Sequence, residues 1–365
     1  MKPSFVTLSL SKLKLQYELL LKTFPTAKVY YSVKCNPLPN VIKYLTEIGC
    51  SFDCASINEI KYAISFGCDA KTQIIFANPH CSQADIDEAV RVGVEMMTFD
   101  SEAQLLMMKN VAKPLLRLRP DSQSNQFVKL GLKFGTDSFE GQRLLNLAKA
   151  MKKDVVGIAF HMGYPIGPAD QIMLMLKEVE RLAAFNNLKL QYLDFGGGLM
   201  PSGVPIEDYA GVSKELLRIQ RDNPGLEIQS EPGRYIVEDA IDFYTRVESV
   251  DKNRVFVAGS AVQSFHRDLL LSKKLTLSVV KAEELQKCVH SKKRIDIQVV
   301  EGGEDKIVIG SSGIRYDIFY EGKLGDVKAG DYIAVKNAGA YTASCLSDRL
   351  DQFSGMEPFQ VVEID

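Results

Sequence analysis

Between Lys28 and Ser230 the chain alternates short runs of β-branched and aromatic residues with longer amphipathic runs, and no other feature constrains the fold as much. Strands are expected at Lys28 to Val33, Ser51 to Cys54, Gln73 to Phe76, Met96 to Phe99, Pro114 to Leu118, Val155 to His161, Leu188 to Phe195 and Leu226 to Ser230. Helical periodicity fills the intervals at Leu38 to Ile48, Ile57 to Phe66, Gln83 to Val92, Glu102 to Lys109, Gly141 to Lys152, Ala169 to Phe185 and Pro205 to Gln220. A loop from Asp121 to Phe134 interrupts the rhythm. Eight strands, most followed by a helix, match the content and length of a closed (β/α)8 TIM barrel. An open doubly wound sheet obeys the same alternation and is the alternative.

After Arg234 the texture changes. Strand-like segments at Ala240 to Glu248, Arg254 to Ala258, Arg294 to Val300, Lys306 to Gly310 and Asp331 to Val335 follow one another with few helical stretches, which predicts a second, mostly β domain. The opening strand, Phe5 to Leu10, precedes the helical stretch Ser11 to Leu21 and has no place in the eightfold count, so it is expected to join the β domain. The expected organisation is therefore an N-terminal strand in residues 1–10, an α/β barrel in 11–238 and a C-terminal β domain in 239–365.

Bulk properties remove several classes of function. A net charge of −2 with dispersed charged residues leaves no electrostatic footprint for a nucleic acid polymer or an anionic membrane. The N-terminal residues lack the apolar core of a signal peptide and no run approaches the roughly 20 apolar residues of a spanning helix, so a cytoplasmic location is the expectation. Seven cysteines, an odd number without a C-x-x-C pair, point to reduced thiols and to no metal site.

Barrel enzymes place their chemistry at the C-terminal ends of the strands. Those ends deliver Lys34, then Asp53 with Ser56 and Glu59, Asn78, Asp100, Arg117, His161, Gly196 to Gly198, and Glu231 with Arg234. Each is weak alone. Lys34 by itself reads as a snorkelling surface lysine, His161 as a satisfied core histidine and the glycines as a tight turn. Their convergence on one rim favours a reactive amine that forms a Schiff base with a carbonyl cofactor. Pyridoxal 5'-phosphate fits this set: a lysine to hold it, glycines whose amides approach a phosphate with help from Arg234, and a carboxylate at Glu231 that keeps the pyridine nitrogen protonated. A flat imidazole from His161 can stack on the ring.

At these residues the sequence resembles a known family. Tyr31-Ser32-Val33-Lys34-Cys35-Asn36, Phe52-Asp53-Cys54-Ala55-Ser56, Phe76-Ala77-Asn78-Pro79, Thr98-Phe99-Asp100-Ser101-Glu102, Asp194-Phe195-Gly196-Gly197-Gly198, Glu231-Pro232-Gly233-Arg234 and Ala338-Gly339-Ala340-Tyr341 are similar to the motifs of the group IV, alanine-racemase-fold, PLP-dependent decarboxylases. Ornithine and diaminopimelate decarboxylases are familiar members. The resemblance implies Lys34 as the Schiff-base lysine, supported by Asp53 and Arg117, with His161 stacked on the cofactor. It implies Gly197, Gly198, Arg234 and Tyr341 at the phosphate and Glu231 at the pyridine nitrogen. It also implies a head-to-tail homodimer, with Tyr341 and the loop near Gly310 at its interface.

The departures from the family pattern concern the substrate. Where the family carries Gly-Pro-x-Cys and an acidic residue, this chain reads Gly310-Ser311-Ser312-Gly313-Ile314-Arg315-Tyr316-Asp317. Where the diamine-forming members carry Asn-Asp-Gly, it reads Val257-Ala258-Gly259-Ser260, and the family's His-x-Gly-Ser becomes His161-Met162-Gly163-Tyr164. Losing a charge-assisted contact to an ammonium costs roughly 1.5 to 3 kcal/mol, so losing two argues against ornithine or lysine. The small residues Gly259, Ser260, Ser311, Ser312 and Gly313 are expected to leave room, with Arg315 or the basic segment His290 to Arg294 facing a distal anion. The expected activity is decarboxylation of a larger or phosphate-bearing amino acid, such as an aminocarboxypropyl group on a nucleotide in antibiotic tailoring. Tyr341, Cys345 and solvent are the candidates to replace the absent cysteine as proton donor. A PLP-dependent racemase and a non-catalytic regulator resembling antizyme inhibitor are the alternatives; Glu231 argues against the first and the retained cofactor residues against the second.

Overall fold

The computed structural model describes residues 2–120, 133–163, 169–199, 206–265, 275–295, 302–342 and 360–364. Two compact units divide the chain. One comprises residues 17–34 and 39–235, and the other residues 1–16, 35–38 and 236–365.

The first of these is a closed barrel of eight parallel strands. In chain order after an opening strand β1 (Ser4–Ser9), its staves are β2 (Ala27–Ser32), β3 (Ser51–Cys54), β4 (Ile74–Phe76), β5 (Met96–Phe99), β6 (Lys113–Leu118), β7 (Gly157–Phe160), β8 (Tyr192–Asp194) and β9 (Glu227–Ser230). Strand β9 pairs back with β2, at Ile228 with Ala27 and Ser230 with Val29, and this closes the ring. The open-sheet alternative is thereby excluded. Most stave residues are buried on both faces, which is why these runs are nearly all apolar and do not alternate. Helix starts between them carry the expected caps: Ser56, Ser82, Ser101 and Asp137 each accept a backbone N–H of the first turn.

Boundaries move by a few residues from expectation, and one shift matters. The first stave ends at Ser32, and Val33–Cys35 form a turn of 3-10 helix, so Lys34 stands on a turn beyond the sheet.

Among the described residues the second unit is built on eight strands: β1, β10 (Ile241–Asp251), β11 (Arg254–Val257), β12 (Leu277–Val280), β13 (Glu304–Ile309), β14 (Ile318–Leu324), β15 (Tyr332–Val335) and β16 (Gln360–Ile364). Strand β1 pairs antiparallel with β10 and parallel with β16, as its exclusion from the barrel count predicts. Its Phe5 stacks on Tyr244 with ring centroids 5.2 Å apart and packs with Val280, Leu285, Tyr332 and Ala334. Burying such a ring contributes about 2 to 3 kcal/mol.

A helix at Ala282–Ser291 was not expected from the sequence. Its Ala282, Leu285, Cys288 and Val289 recur at helical spacing and pack on the core around Phe5 and Tyr244, a signal passed over in a stretch that otherwise reads as strands; Lys281 supplies no side-chain cap, and Lys292, left-handed at φ 53°, ends it. The strand expected at Arg294 to Val300 falls mostly outside the described residues. Among the described residues, no helix is long and apolar enough to cross a membrane.

Candidate active site

The turn after β2 carries Lys34 to the C-terminal rim of the barrel. Its Nζ lies 2.6 Å from Asp53 Oδ2, at the end of β3. The lysine side chain is 43% exposed and the aspartate 1%, so an accessible amine is held by a buried acid. Ser32 Oγ donates to the same Oδ2. This differs from a snorkelling lysine, whose head is solvated and whose position is unspecified.

Two more carboxyls enter the barrel from β8 and β9. Asp194 ends β8 with no exposed surface, and Glu231, 7% exposed, directly follows β9. The turn between them is stitched through one glycine: Gly196 N–H donates to Asp194 Oδ1 at 2.8 Å, and Glu231 N–H donates to Gly196 O at 2.7 Å. Loss of hydration pushes both carboxyls upward in pKa, and the neighbouring Asp53 adds to it; Glu231 feels Asp194 as well. Arg117 opposes these shifts. Its guanidinium donates to Ala77 O at 3.1 Å and lies 5.2 Å from the Phe134 ring centroid.

Sequence reasoning assigned Asp194 no role. The available signal was its place: an acid at the last position of a barrel strand, opening the Asp-Phe-Gly-Gly-Gly turn.

The glycines of that turn are sterically required. A Cβ on Gly196, whose φ is +71°, would lie 2.6 Å from Phe160 O, and one on Gly197 would lie 2.2 Å from Glu231 O. No side chain fits at either position. The Gly196 N–H is committed to Asp194, so the amides with which this turn can meet an anion are those of Gly197 and Gly198. Gly198 is also left-handed, at φ 95°. His161, just after β7, accepts Gly163 N–H at Nδ1 at 2.9 Å, which puts the proton of a neutral ring on Nε2. A Cβ on Gly197 would sit 3.5 Å from that Nε2, so the imidazole flanks the glycine turn. Arg234, 3% exposed, follows two residues after Pro232.

Other rim residues serve local structure. Ser56 caps the helix Ile57–Ser65, and Glu59 accepts Ala55 N–H at 2.7 Å. Asn78 donates to Ala55 O at 3.0 Å, and Asp100 accepts Gly135 N–H at 2.7 Å.

The remaining sequence-derived site residues belong to the β-containing unit. Tyr341 is left-handed at φ 59°, and its N–H donates to Cys35 O at 2.7 Å. Asn36 Nδ2 donates to Gly339 O at 2.7 Å. In the loop between β13 and β14, Ser312 is half-buried, and Gly313 and Arg315 are exposed. The loop is held from below by Asp317, 1% exposed, which accepts the N–H groups of Ala261 at 2.7 Å and Ser312 at 2.9 Å. Tyr164 and Cys345 lie outside the described residues.

Two expectations about this unit are corrected. Gly259 leaves no free space, because a Cβ there would meet Thr245 Oγ1 at 3.0 Å, the Phe243 ring at 3.1 Å and Ser4 Oγ at 3.1 Å. Arg294 is no spare cation either: it forks onto Asp242 at 3.0 and 2.9 Å and donates to Asp239 O. Gly313 keeps open space, with nothing within 4 Å of a Cβ built on it.

The barrel residues fit a phosphate-bearing pyridine aldehyde. An amine is poised on Asp53, a turn without side chains and the buried Arg234 can take a phosphate, and the buried Glu231 can face a ring nitrogen. Comparison with known proteins agrees. The model for the pyridoxal binding domain of pyridoxal-dependent decarboxylases matches residues 10–238. Antizyme inhibitor 2 of Xenopus laevis is 35% identical over 237 residues, covering 62% of this chain and 52% of that protein. The chloroplastic ornithine decarboxylase of Nicotiana glauca is 34% identical over 257 residues, 67% of this chain and 58% of that one. The chain thus spans about half the length of the curated relatives it matches. The crystal structure of the Paramecium bursaria Chlorella virus arginine decarboxylase superposes with a TM-score of 0.85 at 25% identity, covering 99% of this chain and 95% of that one. For the lysine/ornithine decarboxylase of Vibrio vulnificus the TM-score is 0.83 at 20% identity over 99% and 94% of the two chains, a likeness of fold.

Proposed function

Because this chain belongs to the pyridoxal-dependent decarboxylase family, whose pyridoxal binding domain is its barrel, we propose that it removes the α-carboxylate of an amino acid as carbon dioxide. The observation that carries this reading is the Lys34 amine held 2.6 Å from the buried Asp53 within the same strand-end rim as Glu231. Pyridoxal phosphate, when bound, supplies the electron sink for the charge left at Cα. The chain's own residues do the rest. Asp53 and Ser32 fix the base of the lysine, so that the amine meets an incoming aldehyde in one orientation. The turn Gly196–Gly198 and Arg234 bind the phosphate. Glu231 holds a proton at the ring nitrogen, and His161, with its Nδ1 committed to Gly163, offers a flat face to the ring.

The substrate we favour is an amino acid with a larger side chain, or one bearing a phosphate or nucleotide, as in antibiotic tailoring. Three features support it. The acid that the diamine-forming members carry is absent at Gly259, the one acid of the 310–317 loop is committed to backbone N–H groups, and Gly313 and Arg315 are exposed. Ornithine, arginine and lysine/ornithine decarboxylases are among the relatives, so those amino acids are the competing substrates to test. A head-to-tail homodimer completed around Tyr341 and the Gly310 loop, working in the cytoplasm, belongs to the same proposal; light scattering of the purified protein tests the dimer.

The deciding experiment is carbon dioxide release from protein loaded with pyridoxal phosphate. L-ornithine, L-lysine, L-arginine, meso-diaminopimelate and a nucleotide carrying an aminocarboxypropyl group form the panel. Lys34→Ala is expected to lose at least about a hundredfold of any release. Preference for ornithine over the decorated substrate would overturn the substrate reading. One second reading has an observation behind it: antizyme inhibitor 2 is among the relatives, which favours a regulator without catalysis. Failure of the purified protein to retain the cofactor would select it.

A further inference from the structure

Asp194 is fully buried, and the residue roles assigned above do not use it. Its two oxygens differ. Oδ1 accepts the Gly196 N–H, and Oδ2 accepts no hydrogen bond from any protein donor. The Glu231 carboxyl is among the ionisable groups that act on the Asp194 carboxyl, with Asp53 and Arg117. Both acids hang from the same turn, since Gly196 donates to one and accepts the backbone N–H of the other. Two carboxyl oxygens meeting out of water form a bond only when one of them carries a proton.

We propose that Asp194 is a positioning residue for Glu231: the two carboxyls share one proton, which orients Glu231 and is the proton delivered to the pyridine nitrogen of the cofactor. This deepens the function proposed above and rests on it for the delivery step. The balance is simple. The O–H bond of the shared proton breaks as the N–H bond on the ring forms, and two carboxylates remain beside a pyridinium, with total charge unchanged. The groups facing the pair are Asp53 from β3, Lys34 after β2, Arg117 from β6 and Tyr30 from β2, with His161 across the glycine turn. Asp53 favours retention of the proton, and Lys34 and Arg117 favour its departure.

The sign follows from linkage. Each member of the pair binds its proton more tightly when folded than when unfolded, so the folded apoprotein holds the excess proton. Its stability is then greatest in acid and falls as pH rises from the ordinary carboxylate range, about 4, through the raised value.

The test uses full-length wild type, Asp194→Asn, Glu231→Gln and the double variant. In the first arm, apoprotein melting temperatures are compared at about pH 5 and about pH 8. Wild type is expected to lose more stability toward pH 8 than either single variant, and the double variant to behave like the singles. Equal pH dependence in all four, or additive effects of the two substitutions, would overturn the shared proton. In the second arm, the rate of pyridoxal phosphate loss and the visible spectrum of bound cofactor are followed against pH. Asp194→Asn is expected to release cofactor roughly tenfold faster, with a spectral transition displaced from that of wild type. Unchanged release and spectrum would refute delivery to the ring. If wild type itself binds no cofactor, the proposed function and with it the delivery step fail, and the first arm still decides the shared proton.

Discussion

The turn at Gly196–Gly198 and the loop at Gly310–Asp317 use the same device with opposite results. In each, one buried aspartate accepts backbone N–H groups: Asp194 takes Gly196, and Asp317 takes Ala261 and Ser312. In the barrel turn the space beside the glycines is filled by backbone, with Glu231 O 2.2 Å from where a Gly197 Cβ would sit. In the β13–β14 loop the anchored end is equally tight, with Asp317 2.3 Å from a Gly310 Cβ, yet nothing lies within 4 Å at Gly313. The barrel turn therefore tolerates one sequence, and the middle of the other loop tolerates many. A binding site for an invariant cofactor suits the first, and a surface that selects among substrates suits the second.

Substitutions break this comparison in a graded way. The largest effect is expected from Asp317→Ala, which strands the buried N–H of Ala261 and the half-buried N–H of Ser312; a loss of about 3 kcal/mol should appear in urea unfolding. Gly197→Ala follows. Its methyl would collide with a carbonyl oxygen that cannot move without shifting the start of the Glu231 segment, so about 2 kcal/mol of stability and most cofactor binding should be lost, measured by unfolding and by absorbance of the bound cofactor. Gly259→Asp, which restores the acid of the diamine-forming members, should cost about 1 to 3 kcal/mol, because the pocket is already occupied by Phe243, Thr245 and Ser4. If it instead leaves stability unchanged and adds ornithine turnover, the site is roomier than the distances state. Gly313→Cys should be the mildest, within about 0.5 kcal/mol, since its Cβ meets open space. A large loss there would erase the distinction between the two loops.

How much was legible beforehand follows the same division. The eight staves were readable because strands buried on both faces must be apolar along their length and short, and the strand-end residues followed from the barrel once it was drawn. Asp53, Arg117, His161, Gly197, Glu231 and Arg234 all stand in the barrel unit, at or beyond strand ends. Asp194 was passed over because an acid beside three glycines reads as turn chemistry, and nothing local reveals that its second oxygen is buried without a protein donor or that Glu231 is tied to the same turn. Asp317 was passed over for a similar reason: its partners, Ala261 and Ser312, donate through backbone that no residue type announces.

What the sequence determined by itself was the order of elements, the lysine on its turn and the family to which the motifs point, since periodicity and short motifs are local properties of a chain. Tertiary structure alone decided which spaces are full. Gly259 and Gly313 are the same residue, and the sequence reading expected both to leave room. One is walled in by Phe243, Thr245 and Ser4, which come from distant parts of the chain, and the other is open. Excluded volume depends on atoms brought together by the fold, and so it is written in no single stretch of the sequence.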